Sequence, residues 1–315
     1  MLMERKSLVT AGCLAVLYSV WGSTYLAQRI AVAAMPPLFM GGLRFAIAGA
    51  MLYAALRLRG TPAPSRREWG AAVLSAVPLM MLGMGTVAIA MTRAPSGLAA
   101  LVFGGVPLWT SIFDRAFGGR LSRVELVGLA TGLAGLLVVS LRGSLAADPA
   151  SLGLLIFAAA SYSLGCVLTR RLALAKGAMS TASQMVAGGA ALLLASAARG
   201  EHWTVGDRSS VAALAYLVVM GTVVGYTAFG WLLRNARPAL ATSYAFVNPV
   251  VALGLGAALG GERFAAGDYA GLALVLAAVG VVAWGGRAAA PAWGFKGRRG
   301  SPTLGRCAAR SSLRS

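Results

Sequence analysis

Apolar blocks about twenty residues long alternate along the chain with short polar clusters. The blocks run at 7–27, 37–56, 69–91, 96–113, 124–141, 151–169, 178–198, 211–233, 239–259 and 269–286. A helix of about 20 apolar residues crosses the hydrocarbon of a bilayer, because lipid offers no partner for open backbone groups. The pattern predicts an all-α integral membrane protein with ten transmembrane helices. Local signals mark several starts. Ser65-x-x-Glu68 and Ser122-x-x-Glu125 are spaced as capping boxes, and Asp148-Pro149 sets a cap and an opening proline before the sixth block.

Composition agrees with the pattern. Of 315 residues 58% are hydrophobic and 12% charged, where a soluble domain carries about a quarter charged residues. A soluble enzyme, a disordered chain and a coiled coil are excluded. The net charge of +19 does not point to nucleic acid, because the basic residues lie between apolar blocks, where they orient a membrane protein. Arg5, Lys6, Arg57, Arg59, Arg66, Arg67, Arg115, Arg120, Arg123, Arg170, Arg171, Lys176, Arg234, Arg237 and a basic tail fall on one side. Arg29, Arg93, Arg142, Arg199, Arg208 and Arg263 fall on the other. The richer side is cytoplasmic, so both termini are expected in the cytoplasm, which requires an even number of spans. Ala31-Val32-Ala33 resembles a signal cleavage site, but the preceding apolar stretch is too long for a signal peptide, and Arg29 stands before the site. The first block is read as a retained span. Cys13, Cys166 and Cys307 form no disulfide framework.

The chain repeats itself at an offset near 142 residues. Pro107, Gly118-Gly119, Gly128-Leu129-Ala130 and Gly143 match Pro249, Gly260-Gly261, Gly271-Leu272-Ala273 and Gly286; Tyr18-Ser19 matches Tyr162-Ser163. Arg44, five before Gly49, matches Gln184, five before Gly189. The expected division is residues 1–143 (spans one to five), 144–287 (spans six to ten) and a basic, disordered cytoplasmic tail at 288–315, lying against anionic lipid. Five spans per half is an odd number, so the second half enters from the opposite side as an inverted repeat. In transporters such repeats meet at a mid-membrane site open alternately to each side.

Particular residues carry a family resemblance. They are Trp21-Gly22-Ser23-Thr24-Tyr25-Leu26-Ala27, Pro36-Pro37 leading to Leu43-Arg44-Phe45, Ala241-Thr242, Asn248-Pro249-Val250-Val251 and Gly261-Glu262. With them the chain resembles the drug/metabolite transporter superfamily, in particular its EamA-type ten-span exporters, across residues 7–287. The resemblance implies export of a small organic solute from a bacterial cytoplasm through a central cavity, across the cytoplasmic (inner) membrane. It names a mechanism and no cargo.

Candidate pathway residues follow from depth and chemistry. Pro107 and Asn248-Pro249 sit near mid-membrane in spans four and nine, where broken helices mark transport sites in such folds; a packing kink is the alternative. Asn248 is a candidate hydrogen-bond donor to solute. Arg44 is the one strong charge set within a span, and with Gln184 it would mark opposite mouths of a pathway or staple helices together. Tyr18, Trp21, Tyr25, Trp109, Tyr162 and Tyr226 lie too deep to be interface anchors only, whereas Trp69, Trp203 and Trp284 read as aromatic-belt residues. Glycine pairs four apart, such as Gly221 and Gly225, allow close helix approach. Asp114, Glu125, Glu262 and Asp268 fall near span ends, which argues against a buried-carboxylate proton relay. A membrane enzyme would need clustered acids or metal ligands. The single His202 lies in a loop, so no catalytic residue, metal or cofactor is expected. The expected partners are a small solute and the bilayer, with no nucleic acid; monomer and homodimer stay open. An uncoupled facilitator and, behind it, a membrane-embedded enzyme or scaffold remain as alternatives.

Overall fold

A computed structural model of the chain describes residues 2–117, 148–235 and 244–285, with scattered positions between 123 and 138. Among the described residues the secondary structure is helical throughout. In chain order the helices are α1 (Leu2–Val16), α2 (Gly22–Val32), α3 (Pro37–Leu58), α4 (Arg66–Ala76), α5 (Thr86–Ala90), α6 (Ser96–Gly104) and α7 (Val106–Ala116). They continue as α8 (Pro149–Arg171), α9 (Ala178–Ala198), α10 (Arg208–Tyr216), α11 (Gly225–Asn235), α12 (Tyr244–Leu259) and α13 (Ala266–Gly285). π-helical stretches join α1 to α2 (Leu17–Trp21), α4 to α5 (Val77–Gly85) and α10 to α11 (Leu217–Val224). Six of the resulting helices are long and apolar enough to cross a membrane: Ser7–Val32, Pro37–Leu58, Arg66–Ala90, Pro149–Arg171, Ala178–Ala198 and Arg208–Phe229. Two shorter apolar helices cover Val247–Leu259 and Ala266–Ala278. The expected fifth span at 124–141, the Ser122 cap and the tail lie outside the described residues, apart from single positions.

The helix starts obey their local chemistry. Ser65 and Glu68 form a complete capping box ahead of α4. Asp148 accepts from the backbone N–H of Ser151 at 3.0 Å, with Pro149 in the first turn, and Asp207 accepts from that of Ser210 at 2.9 Å. Each cap satisfies donors that a helix start leaves open.

The expected break in span four is present, but it lies at Gly105, two residues before Pro107. There the proline falls in the opening turn of α7, where its missing N–H costs nothing. The matching break expected at Pro249 is absent: α12 runs through the proline. A proline removes only one ladder hydrogen bond, and this stretch is braced by α2, with the Asn248 carbonyl 3.4 Å from where a Cβ at Gly22 would stand.

The π-helical stretches at Val77–Gly85 and Leu217–Val224 occupy the third long helix of each half, 140 residues apart. Each takes close contact from a helix of the other half. Gly165 of α8 leaves room only for hydrogen, since a Cβ there would stand 2.6 Å from the Leu79 Cα. A Cβ at Gly221 would stand 2.8 Å from Thr24 Cγ2. At the centre α3 and α9 cross backbone to backbone. A Cβ at Gly49 would lie 2.7 Å from the Val186 nitrogen, and one at Gly189 would lie 2.8 Å from the Ala46 Cα. The main core surrounds this crossing, with Met40, Phe45, Met80, Leu155, Met185, Leu192 and Leu217 fully buried. On the outer face an apolar groove runs between Val73, Leu74 and Pro78 on one helix and Leu164 and Leu168 on another.

Candidate substrate site

Arg44 lies in the seventh position after the residue that opens α3, and only 5% of it is exposed. Its Nε donates to Thr222 Oγ1 at 3.0 Å, and its Nη1 donates to Gln28 Oε1 at 3.2 Å. Thr222 also donates to the carbonyl of Leu217, five residues back, a bond that the π-helical geometry makes reachable. The guanidinium stands over the Phe45 ring at 5.1 Å, and Tyr25, Tyr162 and Tyr226 are its electrostatic neighbours. Gln28 Nε2 is buried with no partner among the described residues.

An aromatic shell continues from this group. Tyr25 meets Phe103 edge-on at 6.4 Å, and Phe103 meets Tyr162 at 5.7 Å. Trp21 packs on Tyr226 at 5.4 Å, Phe229 at 5.3 Å and Tyr244 at 4.7 Å. Its indole donates to the carbonyl of Gly221 at 3.0 Å, inside the second π-helical stretch, and Gly225 leaves room for the ring. Ring edges against ring faces and a cation near π-systems are mutually favourable contacts. The cluster therefore offers π faces, hydroxyls and one fixed positive charge to whatever enters it.

Four of the expected aromatic residues, Trp21, Tyr25, Tyr162 and Tyr226, meet here with Arg44. The other candidates lie elsewhere. Tyr18 is half-buried in the stretch Leu17–Trp21, and Trp109 stacks on Phe113 at 6.4 Å. Pro107 lies in the first turn of α7. Asn248 and Pro249 are buried on α12, and the Asn248 oxygen Oδ1 has no hydrogen-bond partner among the described residues.

Gln184 belongs to a separate polar knot. It is 4% exposed, and its Nε2 donates to Ser75 Oγ at 2.8 Å and Thr169 Oγ1 at 2.7 Å. Arg44 and Gln184 are thus both buried hydrogen-bonding bridges between helices.

Glu262, expected as a helix-end or loop contact, holds the start of α6 from the loop and is buried there. Its side chain is 4% exposed and accepts from Arg29, from the backbone N–H of Ser96 at 2.8 Å and its hydroxyl at 2.7 Å, and from the Gly97 N–H at 3.3 Å. Gly261, at φ +64°, turns the chain back so that the Glu262 N–H reaches the Gly256 carbonyl at 2.9 Å. At the same end Glu201 accepts from the N–H groups of Leu38 and Phe39, capping α3. Gln28, Phe103, Thr222, Phe229 and Tyr244 went unnoticed in the sequence. A glutamine or threonine in an apolar block has no periodicity of its own, though Gln28 and Thr169 stand 141 residues apart, at the repeat offset.

Comparison with known proteins gives this architecture its relatives. The EamA-like transporter family matches the chain twice, over residues 9–141 and 150–284. The chain is 41% identical over 283 residues to a protein of Escherichia coli strain K12 named uncharacterized inner membrane transporter YedA, covering 89% of this chain and 92% of that one. It is 28% identical over 301 residues to a protein of the same strain named probable amino-acid metabolite efflux pump, covering 87% and 93%. A solved crystal structure with 23% identity shares the fold at a TM-score of 0.61, covering 91% of this chain and 99% of the other. With paired matches that span both halves of an apolar helical bundle, the chain belongs to the EamA-like transporter family.

Proposed function

We propose that the protein exports a small organic solute across a bacterial inner membrane, by alternating access at a site between two inverted five-helix halves. The observation that carries this reading is the buried cluster of Arg44, Gln28, Thr222 and the surrounding tyrosines. It draws on α2 and α3 from the first half and on α8, α11 and the Leu217–Val224 stretch from the second. A charge in that position is costly in a scaffold and is retained at sites that handle solute. The reciprocal approach of Gly49 to Val186 and of Gly189 to Ala46 supports an inverted repeat, since a two-fold axis between α3 and α9 exchanges one contact for the other. The excess of basic residues on one side supports cytoplasmic termini. The efflux-pump relative supports a cargo related to amino-acid metabolites.

Vesicles reconstituted with the purified chain and loaded with amino acids, nucleosides and cationic drugs test this reading. At least one solute should leave faster than from protein-free vesicles. If no solute shows protein-dependent flux, the reading fails.

A second reading, an uncoupled facilitator, is favoured by one observation. The seven acidic residues whose side chains are described are engaged at caps or ion pairs away from Arg44. A pH gradient imposed on the same vesicles should then leave net flux unchanged, whereas a proton antiporter would concentrate its solute.

A further inference from the structure

Arg44 and Gln184 occupy matching places in the two halves, and their surroundings match as well. Each donates to a side chain on the first helix of its own half, Gln28 for Arg44 and Thr169 for Gln184. Each also donates to a hydroxyl on the third long helix of the opposite half, Thr222 for Arg44 and Ser75 for Gln184. A neutral amide thus performs at 184 the bridging that a guanidinium performs at 44. The bridging does not require a charge. Burying one is expensive unless it is paired, so the positive charge at 44 calls for a reason beyond the scaffold.

Among the described side chains no carboxylate pairs with Arg44. The chain has nine carboxylates. Glu68 is held in its capping box, Asp114 lies against Arg170 and Arg171, and Asp148 and Asp207 cap helices. Glu201 caps α3, Glu262 holds Arg29 and the start of α6, and Asp268 accepts from the Ala265 N–H at 2.8 Å. Glu4 is 24 residues from Gln28 along the same helix, about 36 Å at 1.5 Å per residue. Glu125 lies outside the described residues. Two of the guanidinium's five N–H groups serve Thr222 and Gln28. Gln28 Nε2, on the amide that Arg44 touches, is a buried donor with no acceptor among the described residues. Unused donors and a positive charge with no carboxylate partner among the described residues, at a place where the equivalent residue is neutral, all ask for the same thing.

We infer that the transported solute carries a carboxylate, and that Arg44 with the free amide N–H of Gln28 is the group that binds it. This rests on the transporter reading above and names the solute's class. A carboxylate matches the planar guanidinium fork and accepts from it without needing a proton of its own. Solutes bearing only a positive charge would be repelled at the same point.

The experiment uses the purified full chain in vesicles, loaded with organic acids of aliphatic, aromatic and hydroxylated bodies. Each acid is run beside its own carboxamide, which keeps the shape and removes the charge. Inorganic phosphate is included to separate a carboxylate site from a general anion site. Protein-dependent flux of at least one acid should exceed that of its amide tenfold or more, with phosphate not moved. Arg44→Gln, which places at 44 the residue that works at 184, should still fold and should lose the preference, with acid flux falling at least tenfold. Arg44→Lys should keep the sign of the preference with reduced flux. Amides or cationic solutes moving as fast as acids, acid flux undiminished in Arg44→Gln, or phosphate moving in place of acids would each overturn the inference and leave the transporter reading standing. If no solute moves at all, the transporter reading fails first.

Discussion

Gly189 on α9 lies so close to Ala46 on α3 that a Cβ at 189 would stand 2.8 Å from the Ala46 Cα. Three residues away on each helix, Gly49 makes the reverse approach to Val186. The two glycines allow the central helices to touch along their backbones, and this contact sets how near Arg44 and Gln184 come to the helices they bridge. In a membrane such packing is the main source of helix association, because lipid supplies no hydrophobic drive between helices.

Gly189→Val should therefore separate α3 from α9. The opposing atoms are backbone, so the clash cannot be relieved by rotating a side chain. A loss of about 1–3 kcal/mol is expected from overpacking, read as a lower melting temperature in detergent. Gly153→Val is the control, since nothing lies within 4 Å of a Cβ at that position.

Trp21→Phe keeps a ring among Tyr226, Phe229 and Tyr244 but removes the N–H that reaches the Gly221 carbonyl. A part-buried acceptor in a π-helical stretch loses its donor, at a cost of about 1–3 kcal/mol. Thermal melts should register the loss. The same Phe substitution at exposed Trp203 should cost less, because the Ser196 hydroxyl it leaves still donates to Glu201 at 2.7 Å.

Glu262→Gln leaves a near-isosteric side chain that no longer attracts Arg29 and accepts less strongly from Ser96 and Gly97. The end of the bundle held by this residue should open more often. A cysteine placed at Gly97 should react with a water-soluble maleimide several-fold faster in the variant than without it. Equal rates would show that this contact does not hold the end shut.

Hydrogen bonds from the Ser151 side chain and backbone hold the Asp148 carboxyl below its ordinary value, and those from the Ser210 backbone and side chain do the same for Asp207. A carboxyl with a lowered folded-state pKa contributes stability above its unfolded value, near 3.9, and that contribution disappears as pH falls through the lowered value. Melting temperature should therefore be flat from pH 7 to 5 and fall on the acid side of about 4. Asp148→Asn with Asp207→Asn keeps both caps uncharged and should make the acid limb shallower.

Much of this protein can be read without coordinates. The apolar blocks at 37–56, 151–169 and 178–198 fall within one to two residues of Pro37–Leu58, Pro149–Arg171 and Ala178–Ala198. The reason is local: a backbone in lipid must form its own hydrogen bonds, so block length and end caps suffice to mark a helix. Capping boxes and opening prolines are equally local, and the pairing of Arg44 with Gln184 was available from counting. What decided the site was the meeting of elements distant in the chain. Thr222 stands 178 residues from Arg44 and is indistinguishable in sequence from a threonine bonded to its own helix. Gln28 becomes meaningful only because α2 turns it towards α3, and Pro249 broke nothing because α2 braces the helix that carries it. Hydropathy is a sum over neighbours along the chain, so it can say where helices are. Which of their polar atoms face one another depends on how those helices cross, and only close packing in three dimensions determines that.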